Sequence, residues 1–118
     1  MAIHNDLGTA AEILAVTWLK EHGYEVMFHN WRSGRYEIDI IAQKEGKLHI
    51  VEVKSRNESP FGFPEDSVNR KKFFHIKRAA HAFLQLYPGF QRLQYDVLAI
   101  TFFKDGRTGY FLLEDIFI

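Results

Sequence analysis

Three charged residues interrupt two strongly apolar stretches of the sequence, YEIDIIAQ and LHIVEVKSR. Asp39 lies in the first stretch, and Glu52 and Lys54 lie in the second. The intervening residues, KEGK, include Gly46 and are typical of a short antiparallel hairpin. Pairing through this turn sets Asp39 directly opposite Glu52, and the pleat of the second strand sets Glu52 and Lys54 on one face.

This arrangement of charges fits a site for a divalent cation. Two carboxylates at such close range repel each other, and a cation bound between them offsets the repulsion. Mg²⁺, for which Mn²⁺ is a substitute, prefers oxygen ligands and typically uses one or two carboxylates together with water and phosphate. Lys54, one pleat further along, is placed to pair with a bound phosphate or to orient an attacking water.

The hairpin also has a purely structural interpretation, which stays open on the residues alone. The charges then face solvent on one side of a two-faced sheet, and Lys54 pairs with Glu37, its expected cross-strand neighbour. A register shifted by one residue would separate Asp39 from Glu52. The apolar residues of the hairpin are expected on the other strand faces, where they anchor it in the core: Ile38, Ile40, Ile50, Val51 and Val53.

Two predicted helices supply further candidates. Glu12 lies at the edge of the apolar stripe of the first helix, one turn after Gly8, where it either reaches the same metal cluster or is an ordinary boundary glutamate. Phosphate contacts provide most of the non-specific affinity for nucleic acid, and the second helix is placed to make them. It lies in a segment without acids, residues 67–95, and its polar arc carries Arg70, Lys71, His75, Lys77, Arg78 and His81.

Two apolar features on the predicted surface each allow more than one interpretation. Phe74 falls within the basic arc, where its ring stacks on a base or packs against the preceding loop or a second subunit; we prefer packing. The last stretch, YFLLEDIFI, either docks onto the body of the domain or forms a homodimer interface. We assign no catalytic role to Asp96.

The candidates are positioned by a predicted element order α-β-β-β-α-β-β. The first helix begins at Asn5 or Asp6 and ends before Gly23, and the second spans residues 69–86 with Asn69 as its cap. Strands are predicted at residues 24–29, 36–43, 48–55, 94–103 and 109–113, with the segment NWRSGR as a loop. Each helix has one apolar stripe, so the order predicts an α/β fold with a central mixed β-sheet flanked by helices.

Length and composition fit one domain over residues 1–118. Because 47% of the residues are hydrophobic, a core can form. The chain has no cysteine, which excludes disulfides and fits a reducing cytosol. No segment approaches the ~20 apolar residues that cross a membrane, and the N-terminus has no signal-peptide pattern. We therefore expect a soluble cytoplasmic protein without membrane association. The 15 basic residues equal the 15 acidic ones, so net charge indicates no partner.

The chain resembles the YraN-type bacterial proteins, an uncharacterised family predicted to be endonuclease-like and grouped with Holliday-junction resolvases in the restriction-endonuclease-like superfamily. The resemblance covers most of the chain and rests on GTAAEILAVTWLKEHGYEV, HNWRSGRYEIDIIAQ, LHIVEVKSR, FGFPEDSVNRKK and QYDVLAI, in this order. It implies a restriction-endonuclease-like α/β core and Mg²⁺-dependent phosphodiester hydrolysis. It also places the superfamily's metal-binding acid on Asp39, its E-x-K pair on Glu52 and Lys54, and the resolvase-type helical glutamate on Glu12.

The chain departs from the family pattern at four positions. Ile38 replaces the proline that names the superfamily motif, Tyr36 and Ala11 replace frequent glycines, and Gln94 replaces a frequent arginine. None of these changes removes a metal ligand. Tyr36 and Ala11 narrow the approach to the site, which bears on substrate access.

The resulting hypothesis is an Mg²⁺-dependent endonuclease that hydrolyses phosphodiester bonds in nucleic acid, with structured or branched DNA as the expected substrate. Asp39, Glu52 and the main-chain carbonyl of Val53 would bind the metal, Glu12 would complete the cluster, and Lys54 would position the water. The nucleic-acid backbone would be held by the basic arc and two further cations, Arg56 and Arg32. The alternative is a nucleic-acid-binding module of the same fold without catalytic turnover.

Overall fold

The elements of the fold follow the predicted order. The computed structural model describes residues 6–58 and 70–116, and for residues 6–8 it describes the backbone but not the side chains. Within these residues the elements are α1 (Asp6–Glu21), β1 (Glu25–Ser33), β2 (Tyr36–Lys44), β3 (Lys47–Asn57), α2 (Arg70–Leu86), β4 (Leu93–Phe102) and β5 (Thr108–Leu113). The α/β class and the order α-β-β-β-α-β-β are confirmed.

The strands form one mixed sheet in the sequential order β1-β2-β3-β4-β5. Neighbouring strands are antiparallel except β3 and β4, which run parallel. A parallel pair requires a crossover connection, and α2 lies in the segment that connects β3 to β4. The predicted mixed sheet flanked by helices is therefore present, and it is compatible with a nuclease-like fold.

The two helices cover opposite faces of the sheet. Small residues of α1, Ala11 and Ala15, are buried and let this helix approach its face closely. The cluster on that side also contains Leu19, Tyr24, Ile40, Ala42, Val51, Leu98 and Ile100. On the other side α2 packs with Ile76, Ala79, Ala80 and Phe83 against Ile38, Ile41, Leu48 and Ile50. Each helix thus buries one apolar stripe, as the periodicity predicts.

The turn between β2 and β3 fixes the register on which the predicted site depends. Glu45 and Gly46 both have positive φ angles, 53° and 79°, as a type I′ hairpin turn requires. Lys44 pairs with Lys47 and Gln43 with Leu48, and the register continues to Ile40 and Val51. The predicted register is confirmed over this stretch, and it sets Asp39 beside Glu52 at the next position.

The first strand is longer than the sequence pattern predicts. The segment NWRSGR is wrong as a loop, because residues 30–33 belong to β1 and Ser33 pairs with Tyr36. Gly34, with a φ of 60°, lies in the tight turn that joins the two strands. The extension is stabilised from the α2 side, where the ring of Trp31 meets Phe83 edge-on at 5.4 Å between centroids.

The side chains of β2 change faces at Asp39. Ile38 packs with α2, whereas Ile40, two residues later, packs with α1. The paired strand changes faces at the same level: Asn30 has a left-handed backbone with φ 54°, between the pairs of His29 with Ile40 and Trp31 with Ile38. The expectation that Ile38 and Ile40 share one face of β2 is therefore wrong. On β3, Ile50 on one face and Val51 and Val53 on the other follow regular alternation, so these residues supply both cores.

Some sequence predictions lie outside the described residues. They concern the caps Asn5 and Asn69, most of the loop after β3, and the last two residues of the apolar C-terminal stretch. Within residues 6–58 and 70–116, no helix combines the length and the apolar character that a membrane span needs.

Candidate active site between the open ends of β2 and β3

The candidate site lies where β2 and β3 stop pairing. Beyond Ile40 and Val51 no further pairs join the described parts of these two strands; β2 continues with β1, and β3 with β4. At this opening an Asp39 carboxyl oxygen accepts a 2.8 Å hydrogen bond from the Val53 amide. The side chain thus occupies the place of a main-chain acceptor, and its carboxyl is held in the gap between the strands.

The side chains of Asp39 and Glu52 interact across this opening. Burial, the negative charge of Glu52 and the interaction between the two carboxyl groups together raise the pKa of Asp39 from 3.8 to about 8. The Val53 amide acts in the opposite direction, and the charge of Glu12 adds a smaller upward contribution. A buried acid, Glu52, therefore faces a half-buried acid, Asp39, whose ionised form is disfavoured.

Glu52 faces two lysines from different elements. Lys54 on β3 has its Nζ 3.6 Å from Glu52 Oε2, and Lys72 on α2 forms an ion pair with the same oxygen. Burial lowers the pKa of Lys54, and the neighbouring ammonium of Lys72 lowers it further, with partial compensation from Glu52. Burial also acts to lower the pKa of Lys72, but its contact with Glu52 outweighs this and the pKa is raised.

A cleft of about 170 Å³ opens onto the acid pair. Tyr36 and His75 both line it, with their ring centroids 5.2 Å apart. Its lining comes from β2, β3, α2 and the turn before β2: Arg35, Tyr36, Glu37, Asp39, Glu52, Lys72, His75 and Ile76. Tyr36, the residue that departs from the family pattern, therefore forms part of the entrance.

Glu12 lies apart from the acid pair. It is half-buried on α1 and lines a separate groove together with Ile13, Val16, His29 and Asn30. Across the described ranges, no three His, Asp or Glu side chains are arranged to hold a metal ion. The structure thus brings Asp39, Glu52 and Lys54 together and leaves Glu12 as a more distant charge.

The six predicted phosphate-binding cations differ in exposure, and the lining of the cleft includes none of them. Arg56 is half-buried on β3, on the strand face that carries Glu52 and Lys54. Arg32 is exposed and makes a 3.5 Å ion pair with Glu37. Among the described ion pairs, Lys54 is paired with Glu52 and not with its expected partner Glu37. The remaining four lie exposed on α2, whose sequence contains no acid: Arg70, Lys71, Lys77 and Arg78.

Lys72 is the contact that the sequence prediction missed. The basic arc was drawn from residues expected to face solvent, and Lys72 directly precedes buried Phe73. Helical spacing places Lys72 beside His75 and Ile76, three and four residues later, which is the side of the helix that borders the sheet. The sequence signal for this contact is a lysine at the edge of a helix's apolar stripe, combined with an acid within an apolar strand.

A second buried polar cluster lies toward the turn end of β3, away from the cleft. His49 Nδ1 is 2.8 Å from Asp96 Oδ2, and both residues are nearly inaccessible. The other oxygen of Asp96 accepts hydrogen bonds from Gln94 and from the Asp115 amide, each at 2.9 Å. Asp96 thus ties β3, β4 and the C-terminal segment together, which agrees with a structural role.

The fold and the candidate site indicate the class of protein before its sequence is compared with others. A five-stranded mixed sheet between two helices, with an acid pair and a lysine at the opening of its central hairpin, is compatible with a nuclease-like α/β fold. The model of the uncharacterised protein family UPF0102 matches residues 11–100. The chain therefore belongs to this family, the YraN type that the sequence motifs indicate.

Curated relatives from distant bacteria match almost the full chain. A UPF0102 protein of Bacteroides thetaiotaomicron is 40% identical over 116 residues, which is 98% of this chain and 93% of the relative. One from Caldicellulosiruptor bescii is 39% identical and covers 94% of this chain and 96% of its own length. A third, from Flavobacterium psychrophilum, is 40% identical over 100 residues, 85% of this chain and 84% of the relative.

Proposed function

We propose that this protein is an Mg²⁺-dependent endonuclease that hydrolyses phosphodiester bonds in DNA. The observation that carries the proposal is the acid pair of half-buried Asp39 and buried Glu52, held at the opening of a hairpin with Lys54 beside Glu52. Structural carboxylates seldom face each other in a cleft partly shielded from water, because desolvation and mutual repulsion both oppose their charged forms. Perturbed groups in a cleft are typical of functional sites.

The residues fit a small divalent cation. Burial and the charge of Glu52 raise the pKa of the half-buried Asp39 carboxyl, and a divalent ion would offset both effects. Mg²⁺ commonly uses only one or two carboxylates and completes its coordination with water and substrate phosphate. Asp39 and Glu52 would hold the ion, with Glu12 and the Val53 carbonyl as further candidates. When bound, Mg²⁺ supplies Lewis-acid activation of water and neutralises phosphate charge.

The chain's own residues supply positioning and electrostatic stabilisation. The Val53 amide fixes the Asp39 carboxyl in the gap, and the ion pair with Lys72 fixes Glu52. The Lys54 ammonium, with only 18% of its side chain exposed, is held at 3.6 Å from Glu52. From there it can donate to a phosphate oxygen or to the attacking water, where a preorganised donor stabilises developing charge.

Hydrolysis requires a simple exchange of bonds at phosphorus. The water oxygen forms a bond to phosphorus while the bond to the leaving sugar oxygen breaks. The water proton passes to solvent or a carboxylate, and the leaving oxygen takes a proton in return. The exposed cations of α2 and Arg56 hold the flanking phosphates during this exchange.

A cleavage assay tests the proposal directly. Flapped, branched and duplex DNA are incubated with Mg²⁺ or Mn²⁺, using wild-type protein, Asp39→Ala, Lys54→Met and the exposed-acid control Asp105→Ala. We expect metal-dependent cleavage by wild type and by the control, with about 10²–10³-fold slower cleavage by Lys54→Met. Cleavage that survives Asp39→Ala at wild-type rate would contradict the assignment.

One observation favours a second candidate, a nucleic-acid-binding module without turnover. Lys72 already forms an ion pair with Glu52, and Glu12 stands apart from the acid pair. In a binding module, the lysine would serve as the permanent counter-ion of Glu52. DNA binding with a normal salt dependence, combined with no metal-induced stabilisation and no cleavage, would favour this candidate.

A further inference from the structure

Aromatic rings run from the mouth of the cleft to the exposed surface of α2. Tyr36 and His75 line the cleft, with ring centroids 5.2 Å apart. The next ring, Phe74, follows at 6.1 Å from His75. We call Tyr36, His75 and Phe74 the aromatic track. It begins beside the acid pair and ends at a side chain in contact with solvent.

The outer end of the track is an exposed phenylalanine. The residue is 54% exposed, so the packing that we preferred from the sequence does not bury it. An exposed ring of this size on a helix that also carries a buried apolar face is not needed for the core. Its neighbours one turn away in either direction are basic, namely Arg70, Lys71, Lys77 and Arg78.

Each end of the track is also accompanied by an arginine. The Arg78 guanidinium lies 5.6 Å from the Phe74 ring centroid, and the Arg35 guanidinium lies 5.9 Å from that of Tyr36. Planar cations next to aromatic rings are suited to bind phosphates while the rings accept flat apolar groups. The pattern of rings and cations therefore matches an anionic chain that carries planar groups at regular intervals.

Single-stranded nucleic acid has this chemistry, and duplex DNA does not present it. Surfaces that bind single strands combine cationic grooves for phosphates with aromatic rings on which bases stack. In a duplex the faces of the bases are covered by their neighbours, so an exposed ring has no base face to contact. A second protein copy would bury the ring but would bring its own basic helix against this one.

We propose that the aromatic track binds unpaired bases next to the acid pair, so that the substrate is DNA with a single-stranded segment at the cleaved bond. This inference rests on the proposed function and narrows its substrate to flaps, splayed arms or single strands. Phe74 is the specificity-determining residue of the track, because it is the ring most accessible to a base. The basic residues around it contribute affinity without distinguishing paired from unpaired strands.

Binding in the absence of metal tests the track separately from catalysis. The probes are a fluorescein-labelled oligothymidine of about 20 nucleotides and a duplex of the same length. The variants are Phe74→Ala, Phe74→Trp and the matched control Phe111→Ala, whose side chain is 55% exposed on β5. Stacking of one base contributes about 1–3 kcal/mol, so we expect Phe74→Ala to weaken single-strand binding about tenfold.

The other outcomes separate the possible explanations. We expect Phe74→Trp and Phe111→Ala to keep wild-type single-strand affinity, and duplex binding to stay unchanged by all three substitutions. Equal losses for Phe74→Ala and Phe111→Ala, equal losses on both probes, or a change in oligomeric state with unchanged affinity would overturn the track. Selective single-strand binding without metal-dependent cleavage would contradict the nuclease activity but not the aromatic track. Metal-dependent cleavage whose preference between flap and duplex is unchanged by Phe74→Ala would contradict the aromatic track but not the nuclease activity.

Discussion

Glu52 on β3 is ion-paired to Lys72 on α2, the helix of the crossover connection that follows that strand. The contact ties the buried acid of the hairpin to the most basic helix of the chain. It also means that one member of the acid pair has an ion-paired lysine in the absence of metal, whereas the described ion pairs of residues 6–58 and 70–116 include none with Asp39, and its carboxyl accepts a hydrogen bond from the Val53 amide. The two carboxyls are therefore unequal before any ligand arrives.

Replacing Lys72 tests whether its ammonium competes with a metal ion. Lys72→Met removes a positive charge next to Glu52 and keeps the length of the side chain. We expect Mg²⁺ or Mn²⁺ to bind about tenfold more tightly to this variant, which corresponds to about 1.4 kcal/mol. Metal titrations followed by thermal unfolding measure the change, with the exposed neighbour Lys71→Met as the control. Weaker metal binding by Lys72→Met would indicate that the lysine supports the site instead.

The raised pKa of Asp39 predicts a specific dependence of stability on pH in metal-free buffer. Below pH 3.8 both folded and unfolded states hold the proton, so there is no penalty. Between pH 3.8 and about 8 the unfolded state is ionised and the folded state stays protonated, so stability falls as pH rises, by at most about 1.4 kcal/mol per pH unit. Asp39→Asn removes this loss, and we expect the variant to become more stable than wild type toward pH 8.

Urea unfolding in EDTA between pH 4 and 9 measures this effect. Asp105→Asn is a control of opposite sign, since the backbone amide and side chain of Arg107 lower the pKa of the exposed Asp105. Any stability that Asp105 contributes is present above its unfolded pKa and is lost as the solution becomes more acidic. A wild-type protein whose stability is flat from pH 4 to 8 would show that Asp39 is already compensated.

The placement of the acids predicts which one the metal needs. Glu52 and Asp39 line the same cleft, while Glu12 lines another groove. We expect Glu52→Gln to abolish the metal-induced increase in stability and Glu12→Gln to retain most of it. At a metal concentration about a hundredfold above Kd, the wild-type increase should be about 2.7 kcal/mol. If both variants lose the increase equally, Glu12 moves to the acid pair when the metal binds.

The cluster around Asp96 should affect stability and leave the chemistry of the folded protein intact. Asp96→Ala removes the acceptor of three contacts, those of buried His49, buried Gln94 and the part-buried Asp115 amide. We expect a loss of about 3–5 kcal/mol in the free energy of unfolding. The milder Asp96→Asn, which keeps one acceptor oxygen, should lose less and permit activity measurements. A reduced cleavage rate per folded Asp96→Asn molecule would assign the cluster a part in the reaction.

The hairpin could be predicted because its determinants are local. Gly46 fixes the turn, the turn fixes the register, and the register brings Asp39 to Glu52. Periodicity likewise predicts both helices and the alternating order of the elements. These features depend on contacts between residues close together in the chain, which a sequence pattern displays directly.

The remaining features depend on contacts that the pattern does not display. The change of faces at Asp39 follows from the left-handed backbone of Asn30 on the neighbouring strand. The length of β1 follows from packing of Trp31 against α2. Lys72 contacts Glu52 because the crossover connection positions α2 on the sheet with Lys72 next to Glu52. Each of these three features depends on how two elements are placed relative to each other. The spacing of hydrophobic residues within one element does not predict that placement.

The hydrogen bond from the Val53 amide to Asp39 provides a spectroscopic reporter within the backbone. An amide proton experiences different shielding when its acceptor is an ionised carboxylate, a protonated acid or a carboxylate engaged by a cation. The ¹⁵N–¹H resonance of Val53 should therefore follow proton release and metal loading without any label or substitution in the cleft. The amide of Val51, which lies within the regular ladder, offers the reference signal.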